Sequence, residues 1–157
     1  MRIASVLGTT LATAGAAAIG SISSRRGVET WYPTLDKPPY VPPNVVFPVA
    51  WTTLYADIAV TSAGAIDGLA DDPDARRRYI AALGANLVLN AGWSWLFFGR
   101  HKLGASALVA AALTASSADL ARRTAKVKPG AGLALAAYPA WCGFATVMST
   151  DIWRRNR

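Results

Sequence analysis

The sequence predicts an all-α integral membrane protein: a bundle of five transmembrane helices with a proline- and aromatic-rich lid loop between the first and the second. Three observations carry this. Apolar residues make up 53% of the 157 and charged residues only 16%, against roughly 25% charged in ordinary soluble domains. The charges fall as punctuation: 3–24, 38–56, 79–99 and 129–150 hold none, and 103–118 is a shorter uncharged run ended by Asp119. Prolines at 33, 38, 39, 42, 43 and 48 crowd one connecting stretch.

The length suits a single domain, 1–157, and the apolar content excludes disorder. One cysteine, Cys142, excludes a disulfide framework, and one histidine, His101, excludes a multi-histidine centre within one chain, so no metal is expected. The net charge of +7 suits nucleic acid or anionic lipid. The apolar content selects the lipid bilayer, and no nucleic-acid partner is expected.

A spanning helix needs about 20 mostly apolar residues at about 1.5 Å each. That places helices at about 3–23, 46–66, 78–99, 103–123 and 130–152. Alanine, glycine, serine and threonine outnumber leucine, so mean hydropathy is only +0.28. Ala16-x-x-x-Gly20 and Ala81-x-x-x-Ala85 suit close helix packing in membranes. A soluble alanine-rich bundle shares this composition, but long uncharged runs are hard to expose to water.

The first span also reads as a cleavable signal peptide, from Arg2, the apolar stretch and A-x-A-like sites near 12–18. Its uncharged run continues to Ser24, which favours a retained helix. Basic residues divide evenly between the two sides and set no orientation. Arg2, Arg76, Arg77, Arg78, Arg122, Arg123, Lys126 and Lys128 face Arg25, Arg26, Lys37, Arg100, Lys102, Arg154, Arg155 and Arg157. Asp71, Asp72, Pro73 and Asp74 ahead of Arg76 read as a short aqueous loop entering the third helix.

The lid loop is expected at about 25–45, because prolines forbid helix through most of it. Trp31, Tyr32 and Tyr40 sit among those prolines, as rings to be lowered onto the helix ends. Beyond it, Phe47, Trp51 and Tyr55 recur every four residues and share one helical face. Asn86, Asn90, Trp93 and Phe97 form a second stripe, and Tyr138, Trp141, Ala145 and Met148 a third. An amide in hydrocarbon demands a partner, so Asn90 faces the interior. Two readings stay open: the stripes enclose a flat apolar ligand oriented by Asn90 and Tyr55, or they are bundle core with Asn90 as an interhelical hydrogen bond.

The pattern resembles the TspO/MBR family, the tryptophan-rich sensory proteins that include the mitochondrial translocator protein (the peripheral-type benzodiazepine receptor). The matching residues are Trp31-Tyr32-x-x-Leu35-x-Lys37-Pro38, Pro42-Pro43, Phe47, Trp51 and Leu54-Tyr55. Asn90-x-x-Trp93 with Phe97-Phe98-Gly99 follows, then Tyr138-x-x-Trp141, Ala145-Thr146-Val147 and Trp153-Arg154. The match covers about 27–156. Pro39, Tyr40 and Val45 stand where members often carry tryptophan, and Pro139 follows Tyr138 where the family proline usually precedes it. Met148-Ser149 replaces a leucine-asparagine pair, and Thr150 replaces the tyrosine of the animal cholesterol motif, so sterol recognition is not implied.

The resemblance implies a receptor or sensor that binds porphyrins in a pocket under the first loop, linked to tetrapyrrole or stress regulation. Trp31, Trp51, Tyr55, Asn90, Trp93 and Trp141 are matched pocket positions, with Tyr32, Pro42, Pro43, Phe47, Asn86, Phe97, Tyr138 and Ala145 beside them. It also implies a homodimer, a multi-pass location in a bacterial cell membrane, and no required cofactor, with protoporphyrin IX or haem as ligand. The alternative is a light-dependent enzyme degrading protoporphyrin IX, with Trp51 and Trp141 as redox-active candidates. A porphyrin or lipophile transporter is the third reading.

Other residues read more plainly. Trp95 points away from Trp93, toward lipid or a subunit interface, and Trp153 beside Arg154 is an interfacial anchor. Asp57 faces away from the aromatic stripe, in a local polar contact or an interface rather than a proton relay. Asp119 precedes Arg122 and Arg123 at ion-pair spacing. His101 is expected at the membrane surface and Cys142 in the packing, and neither has a base-and-orienter set for catalysis.

Overall fold

A computed structural model describes residues 1–157 and contains helices only. The first helix, α1, spans Ile3–Arg26. It runs on through a π turn, Gly27–Trp31, and a 3-10 turn, Tyr32–Thr34. Helix α2 is Val46–Gly68, α3 is Pro73–Ser94 with a terminal π turn at Trp95–Gly99, and α4 is Leu103–Val127. The last rod is broken into α5, Pro129–Leu135, and α6, Ala137–Arg155.

Two expected boundaries are corrected. The loop expected at 25–45 shrinks to 35–45, because a proline restricts only itself and its predecessor, and the first of them is Pro33. The fifth span is not one continuous helix. Pro139 has no N–H to give the carbonyl of Leu135 four residues back. The backbone tightens there, with the Ala136 N–H donating to Leu133 O at 3.2 Å.

In the bundle α1 packs on α2 and α3, α4 lies between α3 and α6, and α2 leans on α5 and meets α6 through its rings, Phe47 on Trp141 and Trp51 on Tyr138. Many large apolar side chains point out of it, while others, Leu54, Ile58, Leu83, Leu120 and Ile152 among them, form its core. On α1, Leu7, Leu11, Ile19 and Ile22 are exposed, while Ser5, Thr9, Thr13, Ala16 and Gly20 are buried. Val60, Val88, Leu108, Leu133 and Val147 continue the belt around the other rods. Water would penalise that arrangement and lipid favours it: small residues inside let backbones approach. Thr9 Oγ1 donates to Ala59 O at 2.9 Å, joining α1 to α2. Four of the rods, Ile3–Thr34, Pro73–Gly99, Leu103–Val127 and Pro129–Arg155, are long and apolar enough to cross a membrane. The 23-residue α2 is long enough, but Asp57 and its run of Trp, Thr and Tyr dilute its apolar character.

The π turns meet at Gly27, where an added Cβ would strike the Phe98 carbonyl. Beyond them His101 takes φ 54°, the left-handed region, and turns the chain into α4. The Trp31 ring stacks on the exposed His101 ring at 4.0 Å and 14°.

The loop 35–45 is tied to the end of α6. Asp36 N–H donates to Asn156 Oδ1 at 3.0 Å and Asn156 Nδ2 returns a bond to Asp36 O at 2.9 Å. Arg155 stands 3.7 Å from the Asp36 carboxylate, and the Tyr40 hydroxyl donates to Asp151 at 2.7 Å.

Two predictions follow from these contacts. Gly27→Ala is expected to destabilise the bundle by about 1–3 kcal/mol, since the rigid backbone of Phe98 occupies the new methyl's place; thermal unfolding in detergent measures it. Desolvation, then the Asp151 carboxylate, pushes the Tyr40 hydroxyl up to about 12. The folded state therefore holds that proton more tightly, so the contact contributes fully below pH 10 and is lost between about 10 and 12. In an ultraviolet tyrosinate titration, Asp151→Asn should move one transition down toward 10, and Tyr40→Phe should remove it.

Candidate functional site: an aromatic cavity beside the first helix

A cavity of about 440 Å³ opens between α1, α2 and α3. From α2 come Phe47, Trp51 and Tyr55, the stripe with four-residue spacing. Trp93, Phe97 and Phe98 come from α3 and its π turn, which rotates Phe98 onto the same wall; Tyr32 covers one end and Met148 of α6 the floor. The rings support one another: Trp51 and Tyr55 lie 5.6 Å apart, Trp93 and Phe97 stack at 5.4 Å, and Phe97 meets Phe98 edge-on at 4.8 Å. The α1 wall is Ala17, Gly20, Ser21, Ser24 and Val28. These small residues leave the space that larger side chains would fill.

Behind the wall runs a chain of polar side chains. Tyr55 donates to Asn90 Oδ1 at 2.6 Å, and Asn90 Nδ2 donates to the Tyr138 hydroxyl at 3.1 Å. Tyr138 donates to Asn86 Oδ1 at 2.8 Å, and Asn86 Nδ2 donates to Ser116 Oγ at 3.1 Å. Asn86 and Tyr138 are fully buried and Asn90 nearly so. Unpaired, each would carry a heavy desolvation cost; paired in series, they satisfy one another. Tyr55 alone belongs both to this chain and to the cavity wall. Its hydrogen is committed to Asn90, so its oxygen is left as an acceptor.

Of the fourteen residues expected at the site, six, Tyr32, Phe47, Trp51, Tyr55, Trp93 and Phe97, line the cavity together. The others lie off it. Asn86, Asn90 and Tyr138 form the buried chain. Trp31 packs edge-on against Phe97 at 5.7 Å. Trp141 lies behind Phe47 at 6.1 Å, and Ala145 is buried in α6. Pro43 O accepts the Val46 N–H at 2.9 Å where α2 starts, and Pro42 precedes it in the loop. The interhelical bond of Asn90 and the aromatic enclosure are thus both present, in adjacent layers.

The sequence reading missed the α1 wall, although 17, 20, 21, 24 and 28 recur at helical spacing and signal one face. It also missed Asn44, an exposed amide at the mouth with no side-chain partner. Two buried donors in wall residues, the Tyr32 hydroxyl and Trp93 Nε1, have no acceptor. Asp57 sits half-buried outside the cavity, and its carboxylate makes no hydrogen bond or ion pair. Asp119 pairs with Arg122 and Arg123, each at 2.5 Å. Trp95 faces outward with Arg100 5.3 Å from its ring, and Trp153 is likewise exposed beside Arg157.

The fold and cavity define a multi-pass helical membrane protein with an internal, ring-lined site. The chain belongs to the TspO/MBR family, whose model matches residues 8–154. It is 34% identical over 146 residues to Protein CrtK of Rhodobacter capsulatus, covering 93% of this chain and 89% of that protein. It is 32% identical over 128 residues to the Translocator protein of Bos taurus, covering 81% and 75%. The Tryptophan-rich sensory protein of Cereibacter sphaeroides is 27% identical over 130 residues, covering 82% and 78%.

Asn90→Ala removes the middle of the polar chain, leaving the Tyr55 hydroxyl without its acceptor and the buried Tyr138 hydroxyl with Asn86 alone. The expected cost is about 1–3 kcal/mol of stability, read as a lower unfolding midpoint in detergent.

Proposed function

We propose that this protein is a membrane receptor that binds a porphyrin-type tetrapyrrole, protoporphyrin IX or haem, in the aromatic cavity, and that binding serves tetrapyrrole or stress regulation. One observation carries the reading: two facing walls of rings, from α2 and α3, enclose about 440 Å³ with little polar surface. A flat conjugated ligand gains stacking and apolar burial there. The Tyr55 oxygen is an acceptor toward it. One relative's name, sensory protein, agrees with a ligand-responsive role. In this reading all five rods cross the membrane, the loop 35–45 is the lid, and its ties to α6 hold it down. A homodimer in a bacterial cell membrane belongs to the same proposal.

A second reading, light-driven breakdown of the pigment, draws on Trp51. Its ring lines the cavity and lies 5.6 Å from Tyr55 and 6.3 Å from Tyr138, a series of oxidisable rings beside the bound pigment. Transport finds no such support, because the wall is aromatic and neither Asp57 nor Asp119 lines it.

Protoporphyrin IX titrated in the dark into detergent-purified protein should quench tryptophan fluorescence saturably. Trp51→Ala should weaken the binding about three- to tenfold, the worth of one aromatic contact. Trp95→Phe, outside the bundle, should leave it unchanged. Absence of saturable quenching would sink the reading. Illumination of the complex separates the two functions: stable absorbance marks a receptor, and bleaching that needs Trp51 marks the enzyme.

A further inference from the structure

A second concavity, of about 330 Å³, lies between α1 and α3 on the outside of the bundle, apart from the aromatic cavity. Its floor includes Ser5 and Thr9. Their hydroxyls are turned away, to the Asp67 carboxylate and to Ala59 O, so the groove presents mainly carbon. Gly8 and Gly84 keep it open; a Cβ added at either would meet nothing within 4 Å. At one end stands Arg76, in the first turn of α3. Its Nε is buried without a partner and its guanidinium makes no ion pair, and three nearby acids are engaged elsewhere. Asp74 pairs with Arg77, Asp72 caps the Ala75 N–H, and Asp67 accepts from Ser5 and the Arg2 N–H.

We propose that this groove holds one acyl chain of an anionic phospholipid, with the lipid phosphate on Arg76. The dimensions fit: from Arg76 to Leu87 the groove follows α3 for about 16 Å, and one leaflet of hydrocarbon is about 15 Å deep. Arg76 lies just past the aqueous 69–72 turn, at headgroup level, where a phosphate supplies the charge its guanidinium lacks. The exposed floor offers little to a polar ligand. A second copy of this chain fits less well, because a two-fold contact through this face sets Arg76 against another Arg76 at the same depth. The proposal is independent of what the aromatic cavity binds.

The test is native mass spectrometry of detergent-purified protein given equal amounts of phosphatidylglycerol and phosphatidylcholine with the same acyl chains. Wild type should retain phosphatidylglycerol about fivefold better, the contribution of one arginine near the surface. Arg76→Gln should erase the preference while leaving weak retention of both lipids. Gly84→Leu should block retention of both with the fold intact, and Gly8→Leu blocks the same groove from α1 should that variant fail to fold. Equal retention of the two lipids by wild type, or an unchanged preference in Arg76→Gln, overturns the proposal. So does a blocking variant that shifts the monomer–dimer balance and keeps the preference, which would assign the groove to a second copy.

Discussion

Four hydrogen bonds in series, Tyr55 to Asn90 to Tyr138 to Asn86 to Ser116, tie four of the five rods together at the centre of the bundle. In hydrocarbon such groups have no water to fall back on, so the chain constrains where α2, α3, α4 and α6 can stand. Apolar contact in a membrane sets no comparable register, since lipid tails pack as readily as leucine. The aromatic wall of the cavity is fastened to this chain through Tyr55, and Trp51 rests on Tyr138 from the same side.

The first helix stands outside that chain and is held differently. It uses small residues: Thr9 reaches the α2 backbone, Gly20 lies against Ser94, and Gly27 lets two π turns meet at Phe98. A π turn widens the helix by one residue and re-aims the side chains beyond it. That is how Phe98 joins Phe97 and Trp93 on the cavity wall, and how Trp31 is sent to His101 instead. The cavity therefore lies where a rigid, hydrogen-bonded set of helices meets one packed by close backbone approach.

The outer surface follows the solvent. Leucine, isoleucine and valine face outward on every rod, and charges gather at the ends, where Asp119 with Arg122 and Arg123 and Asp74 with Arg77 are self-contained. Asp57 and Arg76, both half-buried, lie outside any such pair. One is a half-buried acid without a partner on α2, the other a cation beside an apolar groove, and both mark places where the chain alone leaves its charge unanswered.

By itself the sequence determined the helical membrane class, the approximate rods, the family and the α2 stripe of Phe47, Trp51 and Tyr55. Those depend on charge-free runs and on a 3.6-residue period, which are local properties. Only the tertiary structure decided which stripe residues meet. Asn86, Asn90 and Tyr138 share helical faces with Trp93 and Trp141, yet their polar atoms bond one another behind the wall, since an amide in lipid takes the nearest partner whatever helix carries it. The π turns that divert Trp31 and Phe98, the break before Pro139 and the α1 wall of small residues were likewise settled by contact between rods. Packing distance and hydrogen-bond satisfaction are relations between segments, and no single helix's periodicity contains them.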